Sequence, residues 1–146
     1  MVELAFAIPI ITVIFLVIID VGLVVREHQL LQNAAREGAR FSAQPANDYS
    51  AWPAGSDERN QIIDAIRMRV VNYLAQENIV IGNPAAQITV TQTVPITVTL
   101  PDGRVARPYG SEVTVWYDRQ LMFLGPPLVP SDWMQISGTA VFRNLY

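Results

Sequence analysis

From Leu4 to Val25 the chain reads LAFAIPIITVIFLVIIDVGLVV, an apolar run interrupted by a single carboxylate, Asp20. As an α-helix it would span about 33 Å, enough to cross a hydrocarbon core of about 30 Å. A helix that is apolar all round needs an apolar surrounding on every side, lipid or packed protein. Arg26, Glu27 and His28 end the run abruptly. A cleaved secretory signal would show a basic start, a shorter apolar core and a small-residue cleavage site. Here the start is acidic, at Glu3, and the run passes without a break into a polar, helix-forming stretch. A retained membrane-length helix is expected.

The composition divides the same way. Charged residues make up 16% of the 146 residues, against about a quarter in ordinary soluble domains. The deficit sits in the first 25 residues, where Glu3 and Asp20 are the only ionisable side chains, and the remainder has the make-up of one modest soluble domain. The net charge of −3, with cations that are all Arg and scattered, offers no basic face for nucleic acid. The absence of Cys excludes disulfides, thiolate metal sites and Cys nucleophiles.

Three residues fit a plain anchor badly. Pro9 removes a backbone donor and is expected to bend or loosen the helix near its start. Asp20 lies at membrane depth, where a carboxylate is costly unless paired or protonated. Glu3 places an acid close to the N-terminus. Two readings are open: Glu3 and Asp20 stay wet at opposite interfaces, or both serve a state outside the lipid, packed among identical helices. In the second state Asp20 needs a partner. Arg26 of a neighbouring copy is the first candidate, with backbone groups or the Thr12 hydroxyl as alternatives.

The helical pattern continues through REHQLLQNAAREGARFSA, where Leu31, Ala34, Ala35 and Gly38 share one stripe. Small residues there allow a sheet or another backbone to approach closely. Pro45 ends the helix. One element over roughly Glu3–Ala43 would be about 60 Å long. It has an apolar half (1–25) and an amphipathic half (26–43), and it carries a head over 44–146.

In the head, Ser56 is placed to cap a helix over about 57–77, with Asp57 and Glu58 at its positive end. Ile62, Ile63, Ile66, Val70, Val71, Tyr73 and Leu74 form its apolar face. From Ile88 the period changes to two, with Val, Ile and Leu alternating with Thr as far as Leu100. Strands are expected over about 87–100, 112–123 and 133–144. Pro95 implies an edge strand or two strands in line, and Pro101-Asp102-Gly103 a tight turn. Met134, Ile136, Ala140 and Phe142 line the last strand. The fold class is α+β, a long helix packed on an antiparallel sheet with a second helix. The segments 44–55, 101–110 and 125–133 lack an apolar period and are expected on the outer surface.

No catalytic constellation is present in the sequence. His28 is the sole His and reads as an exposed helix residue, so a His-based triad or metal cluster is out. Asp57-Glu58 is explained by a helix N-terminus rather than by a metal. Phe6, Phe15 and Phe41 lie too far apart for continuous stacking and suit helix packing. Trp52, Trp116 and Trp133 suit either surface patches or half-buried core. The chain is expected not to be an enzyme and to need no cofactor or metal.

These residues bear a resemblance. The N-terminal segment resembles TadE-like pilins of the tight-adherence branch of type IV pili. The features that carry it are Glu3, Pro9 six residues later, Asp20 before Gly22, and the block LQNAAREGAR from Leu31 to Arg40. A looser likeness extends to SGTAVFRN, Ser137–Asn144. In type IV pilins the functional Glu is the fifth residue after leader removal. Here it is third from Met1 with no basic leader, so the numbering is expected to be that of a mature or shortened chain.

The resemblance implies a pilin-like lollipop that waits in the inner membrane and is then packed by its N-terminal helix into an extracellular filament serving adhesion. Glu3, Pro9, Asp20, Gly22 and Arg26 would act in assembly, with Glu3 neutralising the N-terminal amine of a neighbour. Leu31, Ala34, Ala35 and Gly38 would hold the helix to the head. The implied partners are further copies of the chain, an inner-membrane platform, an assembly ATPase and a prepilin peptidase. A low-copy pseudopilin that primes another pilin is an alternative. So is a monomeric membrane-anchored periplasmic module, although it leaves Pro9, Asp20 and AAREGAR unexplained.

Overall fold

The computed structural model describes residues 2–101, 104–123 and 133–145. Helix α1, Val2–Ser42, runs for 41 residues, about 62 Å. It passes through Pro9 without interruption, so the expected weak point there leaves the helix continuous. A single 3-10 turn, Pro45–Asn47, follows the helix end. Helix α2, Asp57–Gln76, starts at Ser56, whose side chain accepts from the Arg59 N–H. Asn78, at φ 61°, closes it. Its N–H and that of Ile79 return to the Ala75 and Leu74 carbonyls at 3.1 and 3.0 Å, the wrap expected where a left-handed residue ends a helix. The short helix α3, Pro84–Gln87, was not evident from the sequence; Asn83 caps it.

Strands β1 (Ile88–Pro95), β4 (Tyr109–Gln120) and β5 (Trp133–Arg143) form an antiparallel sheet in the order β1-β4-β5. The register pairs Ile88 with Val115, and Val115 with Gly138. The expected strand over 87–100 is two strands. Register shifts between Thr91 and Val94, β1 ends at Pro95, and β2 (Val98–Thr99) pairs with β3 (Val105–Ala106) in a separate ribbon. The alternation thus outlasts the core, for Val98 and Leu100 are exposed rather than committed to α1. Asp102 and Gly103 lie outside the described residues, as does most of the 125–133 segment.

The sheet covers the outer half of α1, and α2 packs against the same stretch of helix. Leu31, Ala34, Ala35 and Ala39 meet Ile66, Val70 and Leu74 of α2 and Ile88, Val113, Val115 and Ile136 of the sheet in one buried cluster. Met134 and Phe142, expected to line β5 inward, are exposed instead. Two glycines set how closely the layers approach. A Cβ on Gly38 would lie 2.5 Å from Val70 Cγ2, and one on Gly138 would lie 2.5–2.6 Å from backbone atoms of Leu31 and Gln32. In the second case strand and helix backbones touch, which only glycine permits.

The far end of α1 is tied down by a buried polar cluster. Gln92 Oε1 accepts from the Tyr49 N–H at 2.9 Å. Its Nε2 donates to Asn47 O at 2.7 Å and to the carbonyl and hydroxyl of Ser42 at 3.0 Å. Asn144 Nδ2 donates to Gln92 O, and Ser111 Oγ donates to Asn144 Oδ1. The Tyr49 hydroxyl accepts from Gln92 N and donates to Val90 O, and burial pushes its phenol pKa up from the ordinary value. The 44–55 segment is therefore not wholly outer surface, because Tyr49 is buried. Likewise, in the 101–110 segment, Tyr109 and Gly110 open β4, and Gly110 is buried.

Candidate functional site

Below the head, α1 is bare. Phe6 is 72% exposed and Phe15 65%, and Ile8, Ile10, Ile11, Val13, Ile14 and Ile18 are also exposed around its circumference. Pro9, Ile10, Val13 and Ile14 line a shallow apolar notch. Thr12, the one hydroxyl in the run, donates back to the Ile8 carbonyl at 2.8 Å, which satisfies its polar atom within the helix. By length and apolarity α1 can cross a membrane.

The residues singled out from the sequence separate into two groups. Leu31, Ala34, Ala35 and Gly38 come together as the docking stripe against α2 and the sheet, joined by Ala39. Pro9, Gly22 and Arg26 are exposed on α1, and no atom lies within 4 Å of a Cβ built on Gly22. His28 is exposed, as expected. The helix includes Glu3, whose side chain lies outside the described residues.

Asp20 meets one of the alternatives named for it, backbone groups, and meets them within its own chain. Its first candidate partner was Arg26 of a neighbour. Instead the carboxylate is fully buried within the chain and accepts the backbone N–H groups of Met122 and Phe123 at 3.3 and 2.8 Å. The loop that follows β4 descends along α1 and presents its amides to the acid. Charge-assisted acceptance of backbone donors is a strong way to keep a buried carboxylate. About two helical turns above, Arg119 of β4 forms an ion pair with Glu27, a link that scattered charges in the sequence gave no reason to single out. Glu27 Oε2 and Arg119 Nε have no hydrogen-bond partner among the described residues. On the opposite flank Arg69 joins α2 to Glu37 at 2.7 Å.

Other important residues left only faint signals. Gln92 sits at an inward position of an otherwise Val/Ile-and-Thr alternation, which marks a buried amide in search of partners. Asn144 follows the last strand directly. Beside them, Ser50, Thr93, Pro108, Tyr109 and Arg143 line an open cleft of about 520 Å³. Among the described residues, Arg143 is its one charged lining residue. Among the described residues no cluster of acids and His is arranged to hold a metal.

The sequence of the rod and its docking stripe matches a known family. Residues 1–40 match the family model of TadE-like proteins. No match was found among curated proteins or solved structures. The TadE-like stretch is a little over a quarter of the chain, and all of its described residues lie within α1. It holds both the bare half and the docking stripe through Arg40. Its match is consistent with a TadE-like protein of the Tad pilus system, a pilin or pseudopilin. The TadE-like stretch also includes Asp20 and Glu27, so both anchor points for the descending edge of the head fall inside it.

Proposed function

We propose that the chain is a non-catalytic structural subunit of a helical Tad-type filament, held in the inner membrane before assembly and extracellular afterwards. The observation that carries this reading is the bare half of α1, an exposed apolar rod continuous with the stretch of helix on which the head is packed. In the bilayer its side chains are satisfied by lipid. Once lifted out, they must be buried against sister helices, each large side chain gaining about 1.5–3 kcal/mol on full burial. Repeated head-to-tail contacts that do not close produce a fibre rather than a ring. An inner-membrane platform, an assembly ATPase and a prepilin peptidase serve this process in the proposal. The outer parts of the head supply adhesion, and Glu3 sets the axial register by meeting the N-terminal amine of a neighbour.

The test is negative-stain imaging of sheared surface material with peptide identification. Recovery of this chain as the repeating component of filaments supports the proposal. Recovery only in trace amounts within filaments of another pilin would make it a low-copy pseudopilin. Retention of the chain in the membrane as a monomer, with no filament present, would refute assembly. The Glu3→Ala variant should insert normally and assemble poorly, and normal filament yield removes Glu3 from the mechanism.

A further inference from the structure

The head reaches down α1 as far as Asp20. Val24 packs against the core cluster, and the Asp20 carboxylate holds the backbone of Met122 and Phe123 against the helix. One face of Asp20–Val25, at Asp20 and Val24, therefore lies against the head although the stretch belongs to the apolar run, while Val21 and Val25 stay exposed on the other side. The stretch below it, Leu4–Ile19, is sixteen residues, about 24 Å of helix. That is roughly 6 Å short of an average hydrocarbon core. Such a mismatch is met by local thinning or by drawing flanking apolar groups into the interface.

The flanking groups are in place. Met122 is 69% exposed and Phe123 42% exposed, at the level of Asp20, whose chain neighbours Ile19 and Val21 on α1 are exposed too. Their backbone is fixed by the acid while their side chains face outward, so the apolar surface of the rod continues onto the underside of the head. Neither residue belongs to the buried core cluster. Resting on the membrane-resident stage proposed above, we infer that Met122 and Phe123 form an interfacial lipid anchor, seated at the headgroup–acyl boundary and tethered by Asp20. The anchor sets how deeply the subunit sits in the bilayer and keeps Asp20–Val25 out of the hydrocarbon.

Because the chain has no Cys, single cysteines can be spin-labelled cleanly. The full chain carrying Met122→Cys is reconstituted in phosphatidylcholine vesicles, with Ile14→Cys as the lipid reference and Val80→Cys, on an exposed part of the head, as the aqueous reference. Collision with oxygen and with a water-soluble nickel chelate reports depth. The expected result is a nickel accessibility at position 122 at least threefold below that at position 80, with oxygen accessibility between those of positions 80 and 14. Adding Asp20→Ala, or the milder Asp20→Asn if the first disturbs folding, should return position 122 toward the aqueous value. Equal nickel accessibility at 122 and 80, with position 14 protected, overturns the anchor and leaves the membrane stage intact. Position 14 open to nickel overturns both. Protection of position 122 only after assembly into filaments assigns these residues to a subunit contact and overturns the lipid reading. An unchanged signal in both Asp20 variants overturns the tether.

Discussion

Gly138→Ala sets strand propensity against packing. By propensity alone the change should help, because glycine within regular structure costs about 0.5–1 kcal/mol relative to alanine. The geometry predicts the reverse. The new methyl would fall 2.5 Å from the Leu31 carbonyl carbon and 2.6 Å from Leu31 O and Gln32 N. These are backbone atoms in mid-helix and cannot rotate aside, so β5 must lift from α1. Overpacking of this kind costs about 1–3 kcal/mol, and the absence of a flexible neighbour puts it at the upper end. After the propensity gain, a net loss of about 2 kcal/mol remains, or about 4–8 °C in Tm for a chain of this size. Gly38→Ala is the comparison, since its methyl meets side chains, Val70 Cγ2 at 2.5 Å and Val113 Cγ1 at 3.3 Å, and helix propensity returns about 1 kcal/mol. It should lose clearly less. Thermal unfolding of the full chain in detergent, followed by Trp fluorescence and circular dichroism, gives the ranking. A Gly138→Ala protein as stable as the parent, or one less damaged than Gly38→Ala, would refute the claim that bare backbone contact sets the spacing of helix and strand.

Other substitutions probe the remaining joints of the head. Gln92→Leu strands the Tyr49 N–H and the Asn47 carbonyl and should cost about 2–4 kcal/mol, given about 1–3 kcal/mol for each buried group left unmet; urea midpoints at constant m-value measure it. Arg119→Met leaves Glu27 facing a protein wall without its cation and should cost about 2–3 kcal/mol, below the range for fully buried pairs because the Glu27 side chain is 20% exposed. Pairing it with Glu27→Gln should recover at least half of that loss in a double-mutant cycle. Because the Tyr49 phenol is raised above its ordinary value of 10.0, the unfolded chain ionises first as pH climbs. The Tyr49 contribution is thus intact below pH 10 and is lost on passing upward to its folded value. Urea midpoints between pH 9 and 11.5 should fall more steeply for the parent than for Tyr49→Phe.

What the sequence disclosed, it disclosed through periodicity. An unbroken helical pattern from Glu3 to Ala43 and the stripe Leu31, Ala34, Ala35 and Gly38 led to one long helix with a docking face. Ser56 and the Ile62–Leu74 pattern led to α2. In each case the determining interaction is local, or the spacing itself records which side is buried. The pairings that place the head against the helix were not legible. Asp20 is met by main-chain amides about a hundred positions away, and backbone donors leave no trace in a sequence. Arg119 and Glu27 are ordinary charges until the fold opposes them. Val98 and Leu100 show the converse failure: their alternation is that of a buried strand, yet the ladder has already broken at the Thr91–Val94 irregularity and they face outward.

The sheet order β1-β4-β5, with β5 laid along α1, also governs when the molecule can form. The stripe on α1 is synthesised well before Gly138 and Ile136, which cover part of it, and the Leu145 N–H bonds to the Ala43 carbonyl at 3.1 Å. Such long sequence separations delay native contacts and slow folding. While the chain is still being made, the apolar helix can partition into the bilayer, whereas the head has no final strand with which to close. In the membrane stage proposed above, insertion therefore precedes head folding by the time taken to synthesise the residues between the stripe and β5. For that interval Leu31, Ala34, Ala35 and Ala39 stand uncovered just beyond the membrane, where a misplaced sister helix or a chaperone has its best opportunity to bind them.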